Sequence, residues 1–101
     1  NDLQKSISEL GNVDLLVLSG AFTNNTRSQV DFLIVGDLDK DTFAEFIENY
    51  INENKEIRYS LMTTENFKYR VEYHDSFVGG LIHTKGNAIV INKLKEFLKR
   101  P

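Results

Sequence analysis

The chain has 101 residues, of which 41% are hydrophobic, and these values are typical of one folded domain with its own core. Its formal net charge is −3, which provides no overall attraction to nucleic acid or to an anionic membrane surface. It contains no cysteine, which excludes disulfide bonds, thiolate chemistry and cysteine-bound metal and is typical of a cytoplasmic protein.

The beginning of the chain predicts a helix over residues 2–10, because Leu3, Ile7 and Leu10 recur at helical spacing before Gly11, a helix-ending glycine. The chain lacks an initiator Met and begins inside this helix, so we expect residues 1–101 to be a single domain excised from a longer protein. No apolar run approaches the ~20 residues of a membrane span, so we expect no membrane partner.

Two apolar segments then predict a β-hairpin. Residues 13–18 are almost wholly apolar, which indicates a central strand covered on both faces. Residues 23–28 form a polar loop, and residues 30–35 predict the second strand. Asp31 places a carboxylate inside this second apolar run, and burying it without a partner costs several kcal/mol. Asp31 is therefore the residue whose role decides the functional interpretation.

The next segment has the clearest amphipathic pattern in the chain. Its helical face consists of Phe43, Phe46, Ile47, Tyr50 and Ile51, and Asp37 or Asp39 can cap the helix. Residues 56–62 alternate between apolar and polar side chains and predict a third strand.

The last third of the chain predicts two short helices, a strand and a final helix. Thr63 or Thr64 can cap the first helix and Asp75 the second. Residues 88–91 form a short apolar strand, after which Asn92 can cap the last helix. The predicted fold class is therefore α+β, with a mixed sheet of about four strands and helices packed on it.

Four stretches of the chain resemble a known family. They are LLVLSGAF, SQVDFLIVGD, KEIRYSLMTTENFKYR with HDSF, and AIVINK, and together they extend over about residues 13–93. They resemble the nucleotidyltransferase superfamily, which includes DNA polymerase beta and kanamycin nucleotidyltransferase. The closer resemblance is to nucleotidyltransferase-like domains that follow winged-helix DNA-binding domains in prokaryotic transcriptional regulators. The resemblance implies a nucleotidyltransferase-like, nucleotide-binding fold.

The chemistry of this family requires a triphosphate held at a tight Gly-Ser turn, where backbone N–H groups approach the phosphates. Two carboxylates two residues apart on one strand share two Mg²⁺ ions, and a third carboxylate comes from a neighbouring strand. In this chain Gly20 matches the glycine, but Ala21 replaces the serine. Gln29 stands at the first metal carboxylate, and Asp31 matches the second.

The third carboxylate position falls on Arg58 or Ser60, neither of which is an acid. The resemblance therefore implies a pseudoenzyme: a catalytically degenerate domain that serves as a regulatory or interaction module and needs no cofactor. Asp31 is the candidate catalytic and metal-binding residue. The candidate nucleotide-binding residues are Gly20, Ala21, Gln29, Asp31 and Arg58. We expect DNA to be contacted only through a separate domain, and the candidate partners are a nucleotide and a second copy of the chain.

Alternatives remain open for Asp31. It can pair with Arg27 or Arg58, or accept hydrogen bonds from backbone N–H groups near the loop. It can also bind Mg²⁺ in an active nucleotidyltransferase with a rearranged metal site, together with Glu56 and Asp37. A third alternative is a sensor that binds a nucleotide without turnover.

Overall fold

The computed structural model describes residues 2–54 and 56–99, without the side chains of residues 51–54. The elements in chain order are α1 (Asp2–Ser8), β1 (Gly11–Leu18), a 3₁₀ turn (Gly20–Phe22), β2 (Phe32–Leu38), α2 (Lys40–Asn54), β3 (Tyr59–Met62), α3 (Thr64–Glu72), α4 (Ser76–His83), β4 (Ala88–Asn92) and α5 (Lys95–Leu98). The predicted order of helices and strands is confirmed, and so is the α+β fold class. In these ranges no helix is both long enough and apolar enough to cross a membrane.

The four strands form one mixed sheet in the order β3-β2-β1-β4. β1 pairs antiparallel with β2, which confirms the predicted hairpin, and antiparallel with β4 on its other side. β3 pairs parallel with β2, and α2 provides the long connection that a parallel pair needs. β1 is therefore interior in the sheet, as its apolar run predicts.

Each face of the sheet is covered by its own helical layer. Leu15 and Val17 of β1 belong to the core formed with α3, α4 and α5. Leu16 and Leu18 belong to the core on the opposite face, formed with α1 and α2. Phe43 and Ile47 of α2 are buried there as the amphipathic pattern predicts, whereas the side chain of Ile51 lies outside the described residues.

The helix caps follow the predicted polar residues. Thr63 precedes α3 and Asp75 precedes α4, and each side chain accepts a hydrogen bond at 3.0 Å from the backbone N–H three residues further on. Asp39 accepts the backbone N–H of Thr42 at 2.9 Å and fills the same role for α2.

Several predicted boundaries are wrong. β2 begins at Phe32 and not at residue 30, and β3 begins at Tyr59 and not at residue 56. Gly11 opens β1 and does not end α1. Asn92 ends β4, and its Oδ1 accepts the backbone N–H of Leu94 at 2.9 Å, while Leu94 itself occupies the cap position of α5. Strand ends depend on where a partner strand stops, which the local sequence does not specify.

Candidate functional site

Asp31 lies immediately before β2, at the point where the first three strands of the chain meet. Its backbone N–H donates to the carbonyl oxygen of Arg58 at 2.8 Å, and its own carbonyl oxygen accepts the N–H of Ser19 at 2.8 Å. Ser19 follows β1 and Arg58 precedes β3, so the backbone of Asp31 continues the sheet pairing on both sides. The residue is only 3% exposed. The carboxylate of Asp31 is therefore held where β2 begins and is largely removed from water.

The carboxylate of Asp31 accepts hydrogen bonds from three donors. Its Oδ1 accepts the backbone N–H of Ala21 at 2.8 Å and Nη2 of Arg58 at 3.2 Å. Its Oδ2 accepts the backbone N–H of Arg58 at 2.9 Å. The side chain of Arg58 is half-exposed, and its Nη1 also donates to the carbonyl oxygen of Ser28 at 3.0 Å. The prediction that Asp31 is paired internally is confirmed for Arg58 and for backbone N–H groups.

These contacts determine the charge of Asp31. Burial is the largest single influence on its pKa and raises it, because a buried carboxylate loses hydration. The backbone N–H groups of Arg58 and Ala21, together with the guanidinium of Arg58, outweigh burial and lower the pKa below its ordinary value of 3.8. Asp31 is therefore ionised at neutral pH and is stabilised as an anion by the protein itself.

Gly20 makes this arrangement possible. Its φ is +49°, in the left-handed region that favours glycine. A Cβ built on Gly20 would collide with Oδ1 of Asp31 and would lie 2.8 Å from the carbonyl oxygen of Val30. The 3₁₀ turn that begins at Gly20 brings the N–H of Ala21 onto the carboxylate. The glycine of the predicted motif is thus required by the contact between the turn and Asp31.

An open cleft of about 450 Å³ lies over this turn. It is lined by Gly20, Ala21, Asn24, Asn25, Thr26, Asp31, Glu56, Ile57 and Arg58. Four of the five candidate nucleotide-binding residues therefore lie together. The fifth, Gln29, is exposed and is not among the lining residues. β2 begins at Phe32, so neither Gln29 nor Asp31 lies within the strand that carries both metal carboxylates in the family motif.

The structure does not bring together the three acids of the rearranged metal site. Glu56 lines the cleft beside Asp31. Asp37 lies six residues further along β2, and at ~3.3 Å per residue this places it about 20 Å from Asp31. Across residues 2–54 and 56–99, no three His, Cys, Asp or Glu side chains are grouped so that they could hold a metal ion. The donor set in the cleft does not fit a pair of Mg²⁺ ions, which needs several open carboxylate oxygens.

The sequence did not predict a buried polar network that lies beside the cleft. Ser19 is fully buried, and its Oγ lies 2.8 Å from Oγ of Ser28 and 2.8 Å from Oδ1 of Asn87. Asn87 also donates from Nδ2 to the carbonyl oxygen of Leu81 at 3.1 Å and receives Nδ2 of Asn25 at 3.4 Å. The network ties the loop after β1 to the turn before β4. A buried serine at the end of an apolar strand was the only local signal, because Asn87 is 68 residues away from it.

Comparison with known proteins gives no relative: the chain matches no family model, no curated protein and no solved structure. The functional interpretation therefore depends on the geometry of the cleft and on the motif resemblance.

Proposed function

We propose that the chain is a catalytically degenerate nucleotidyltransferase-like domain that serves as a regulatory or interaction module of a prokaryotic transcriptional regulator. In this proposal the domain works in the cytoplasm, and DNA is bound by a separate domain of the same regulator. The observation that supports it best is the engagement of Asp31 by three internal donors.

The guanidinium of Arg58 lies against the carboxylate that a metal would have to bind. In the resembling enzymes the corresponding carboxylate binds Mg²⁺ through open oxygen atoms. Here Oδ1 of Asp31 faces the positive charge of Arg58 at 3.2 Å. A divalent cation would have to displace this group or lie beside it, and like charges a few ångströms apart repel strongly in a partly dry site. The fixed cation therefore replaces the metal as the partner of Asp31.

The 3₁₀ turn at Gly20–Phe22 also makes its own contact with Asp31. A phosphate-binding turn presents its backbone N–H groups to the ligand. In this chain the N–H of Ala21 donates to Asp31 at 2.8 Å, and Ala21 has no hydroxyl group with which to bind a phosphate. Two of the donors on which the family's nucleotide binding depends are thus missing or in use.

A transfer assay tests the loss of activity. The domain is incubated with each labelled nucleoside triphosphate, with Mg²⁺ or Mn²⁺, and with nucleic acid, protein and small hydroxylated acceptors. We expect no product above background. A product that is formed by the wild type and lost in Glu56→Gln, a variant of an exposed side chain, would establish the rearranged active site and overturn the proposal.

One observation favours the alternative of a nucleotide sensor without turnover. The side chain of Arg58 is 52% exposed and lines a cleft of about 450 Å³, so it offers a cation to a phosphate group without any metal. Thermal unfolding with ATP, GTP, CTP or UTP tests this alternative, because a ligand at ~100 times its Kd stabilises the folded state by about 2.7 kcal/mol. We expect no shift for a degenerate module. A shift that disappears in Arg58→Gln would favour the sensor.

The regulatory role has its own test, which does not depend on catalysis. The test is to read the coding sequence upstream of the codon for Asn1, where this proposal expects a winged-helix domain. An upstream domain of another kind, or none, would remove the support for a transcriptional regulator and leave the degenerate site unexplained.

A further inference from the structure

We propose that two copies of this chain associate through α3 and α4, with a tyrosine ridge on α3 of each copy entering a groove over α4 of the other. The ridge consists of Tyr69 and Tyr73, and the groove has Gly79 and Gly80 as its floor. Both belong to the helical layer that covers one face of the sheet, on the side away from α1 and α2.

The groove is a second open cavity, separate from the cleft over Asp31. Its volume is about 570 Å³, within the range of specific binding clefts. Val71 of α3 forms one wall, and Phe97 and Leu98 of α5 form another. Gly79 and Gly80 of α4 also line the groove, together with polar residues that include His74, Asp75 and His83. The groove can therefore receive a large apolar side chain close to α4.

Packing within one chain does not require glycine at either of these two positions. A Cβ added at either position would meet no heavy atom within 4 Å. Glycine inside a helix is destabilising relative to alanine, because it loses more conformational freedom on folding. Two adjacent glycines in an eight-residue helix are therefore unfavourable for the isolated chain. An approaching partner supplies the close contact that would make them useful.

The ridge is the most exposed apolar feature of the described residues. Tyr69 and Tyr73 are 58% and 71% exposed, and their ring centroids lie 4.5 Å apart. They occupy the outer side of α3, opposite Phe67, which is fully buried in the core. Tyrosine is enriched in protein interfaces because it buries a large area while its hydroxyl group stays hydrogen-bonded.

The proximity of ridge and groove identifies a second copy as the occupant. Val71 and Glu72 line the groove, and Tyr73 directly follows them at the end of α3. The ridge and the groove therefore adjoin one another. A protrusion and a depression on the same face are self-complementary under a two-fold axis, since each copy provides what the other receives. Two copies can thus bury both features at once, whereas an unrelated partner would have to supply both shapes.

The charges agree with this arrangement. Along α3, Lys68 and Arg70 balance Glu65 and Glu72, and Arg70 also lies 4.0 Å from Asp75 of the same chain, so this face has no large net charge that would oppose a two-fold contact. The opposite layer is acidic on its outside, because α2 exposes Asp41, Glu45 and Glu48, and two copies would repel one another there. Of the two helical layers, the one that contains α3 is the layer suited to self-association.

Sedimentation analysis at concentrations up to about 1 mM tests the proposal. We expect a dimer for the wild type and at least about tenfold weaker association for Gly80→Leu and for the double variant Tyr69→Ala/Tyr73→Ala. Gly80→Leu fills the groove but not the core, so its melting temperature should not fall below that of the wild type. Ala44→Leu places the same bulk on exposed α2 and should leave the association unchanged.

The absence of cysteine permits a direct test of which residues meet. Tyr73→Cys chains are mixed with Gly80→Cys chains under mild oxidation, and we expect the mixed disulfide to exceed either self-pair. Ala44→Cys with Gly80→Cys serves as the control and should cross-link poorly. A wild type that remains monomeric at every concentration would overturn the proposal. A dimer that resists both sets of substitutions, or control cross-linking as fast as the test pair, would overturn it too.

Discussion

Replacing Asp31 with asparagine is the most informative single substitution in this chain. Asparagine keeps the size of the side chain but removes its charge and converts one acceptor atom into a donor. In one orientation the new NH₂ group faces the backbone N–H of Arg58, and in the other it faces the N–H of Ala21 and the guanidinium. Either way a backbone donor loses its partner. We therefore expect Asp31→Asn to be strongly destabilising.

The structure also sets the size of this effect. A buried donor left without an acceptor costs about 1–3 kcal/mol, and hydrogen bonds to an ionised acceptor are about twice as strong as neutral ones. We expect Asp31→Asn to lower the free energy of unfolding by about 2–4 kcal/mol, a large share of the ~5–15 kcal/mol typical of small domains. Arg58→Ala keeps the backbone N–H and removes the guanidinium together with the rest of a side chain that is 52% exposed. It should cost about 1 kcal/mol or less, as half-exposed ion pairs do.

The pH dependence gives a second measurement of the same contacts. The pKa of Asp31 in the folded state lies below its ordinary value of 3.8. The stability contributed by the ionised carboxylate is therefore fully present above that value and is lost as the pH falls through the lower folded-state pKa. Asparagine does not titrate. The difference in unfolding free energy between wild type and Asp31→Asn should thus be constant above about pH 5 and shrink below about pH 4.

Urea denaturation followed by circular dichroism, with tyrosine fluorescence as a second probe, measures both quantities. The chain has no tryptophan, so its tyrosines are the natural fluorophores. Equal losses for Asp31→Asn and Arg58→Ala would refute the reasoning, because the ion pair and not the backbone donors would then hold the carboxylate. A difference between wild type and Asp31→Asn that stays constant down to pH 2 would refute the assigned pKa direction.

Three further substitutions test other parts of the site and its supports. Gly20→Ala should lower the unfolding free energy by about 2–4 kcal/mol in the same urea assay, since φ is +49° and the added Cβ meets Asp31; an effect below about 0.5 kcal/mol would contradict the structure. Asn87→Ala should cost about 1–3 kcal/mol because it removes the amide that accepts from Ser19 and donates to the carbonyl oxygen of Leu81, and a neutral result would mean that water replaces the amide. Asp39→Ala should lower the melting temperature because it removes the cap of α2. Hydrogen bonds from Thr42 lower the pKa of Asp39, so the difference in melting temperature between the wild type and Asp39→Ala should shrink as the pH falls below 3.8.

Much of the fold could be predicted because its signals are local. The apolar run of β1, the spacing of Phe43 and Ile47, and the caps at Thr63 and Asp75 each depend on a few neighbouring residues. The errors lie at element ends. β2 begins later than its apolar composition indicates, so Gln29 is outside the strand on which the metal motif would require it.

The site could be predicted only in part for the same physical reason. The sequence showed that a carboxylate inside an apolar run needs a partner, and Arg58 was one of two arginines considered for that role. It did not show that the N–H groups of Ala21 and Arg58 would both point at Asp31, because backbone donors are identical in every residue and are aimed only by the fold.

The sequence by itself determined which segments become helices and strands, that one strand is interior, and that the carboxylate of Asp31 needs a partner. Only the tertiary structure decided how this happens, since the donors come from a turn 10 residues before Asp31 and a segment 27 residues after it. Likewise, the tyrosine ridge and the glycine floor become neighbours only when α3 and α4 pack on the same face of the sheet. Patterns along the chain report how a residue pairs with its neighbours, whereas the contacts of this site are made between segments that chain folding brings together.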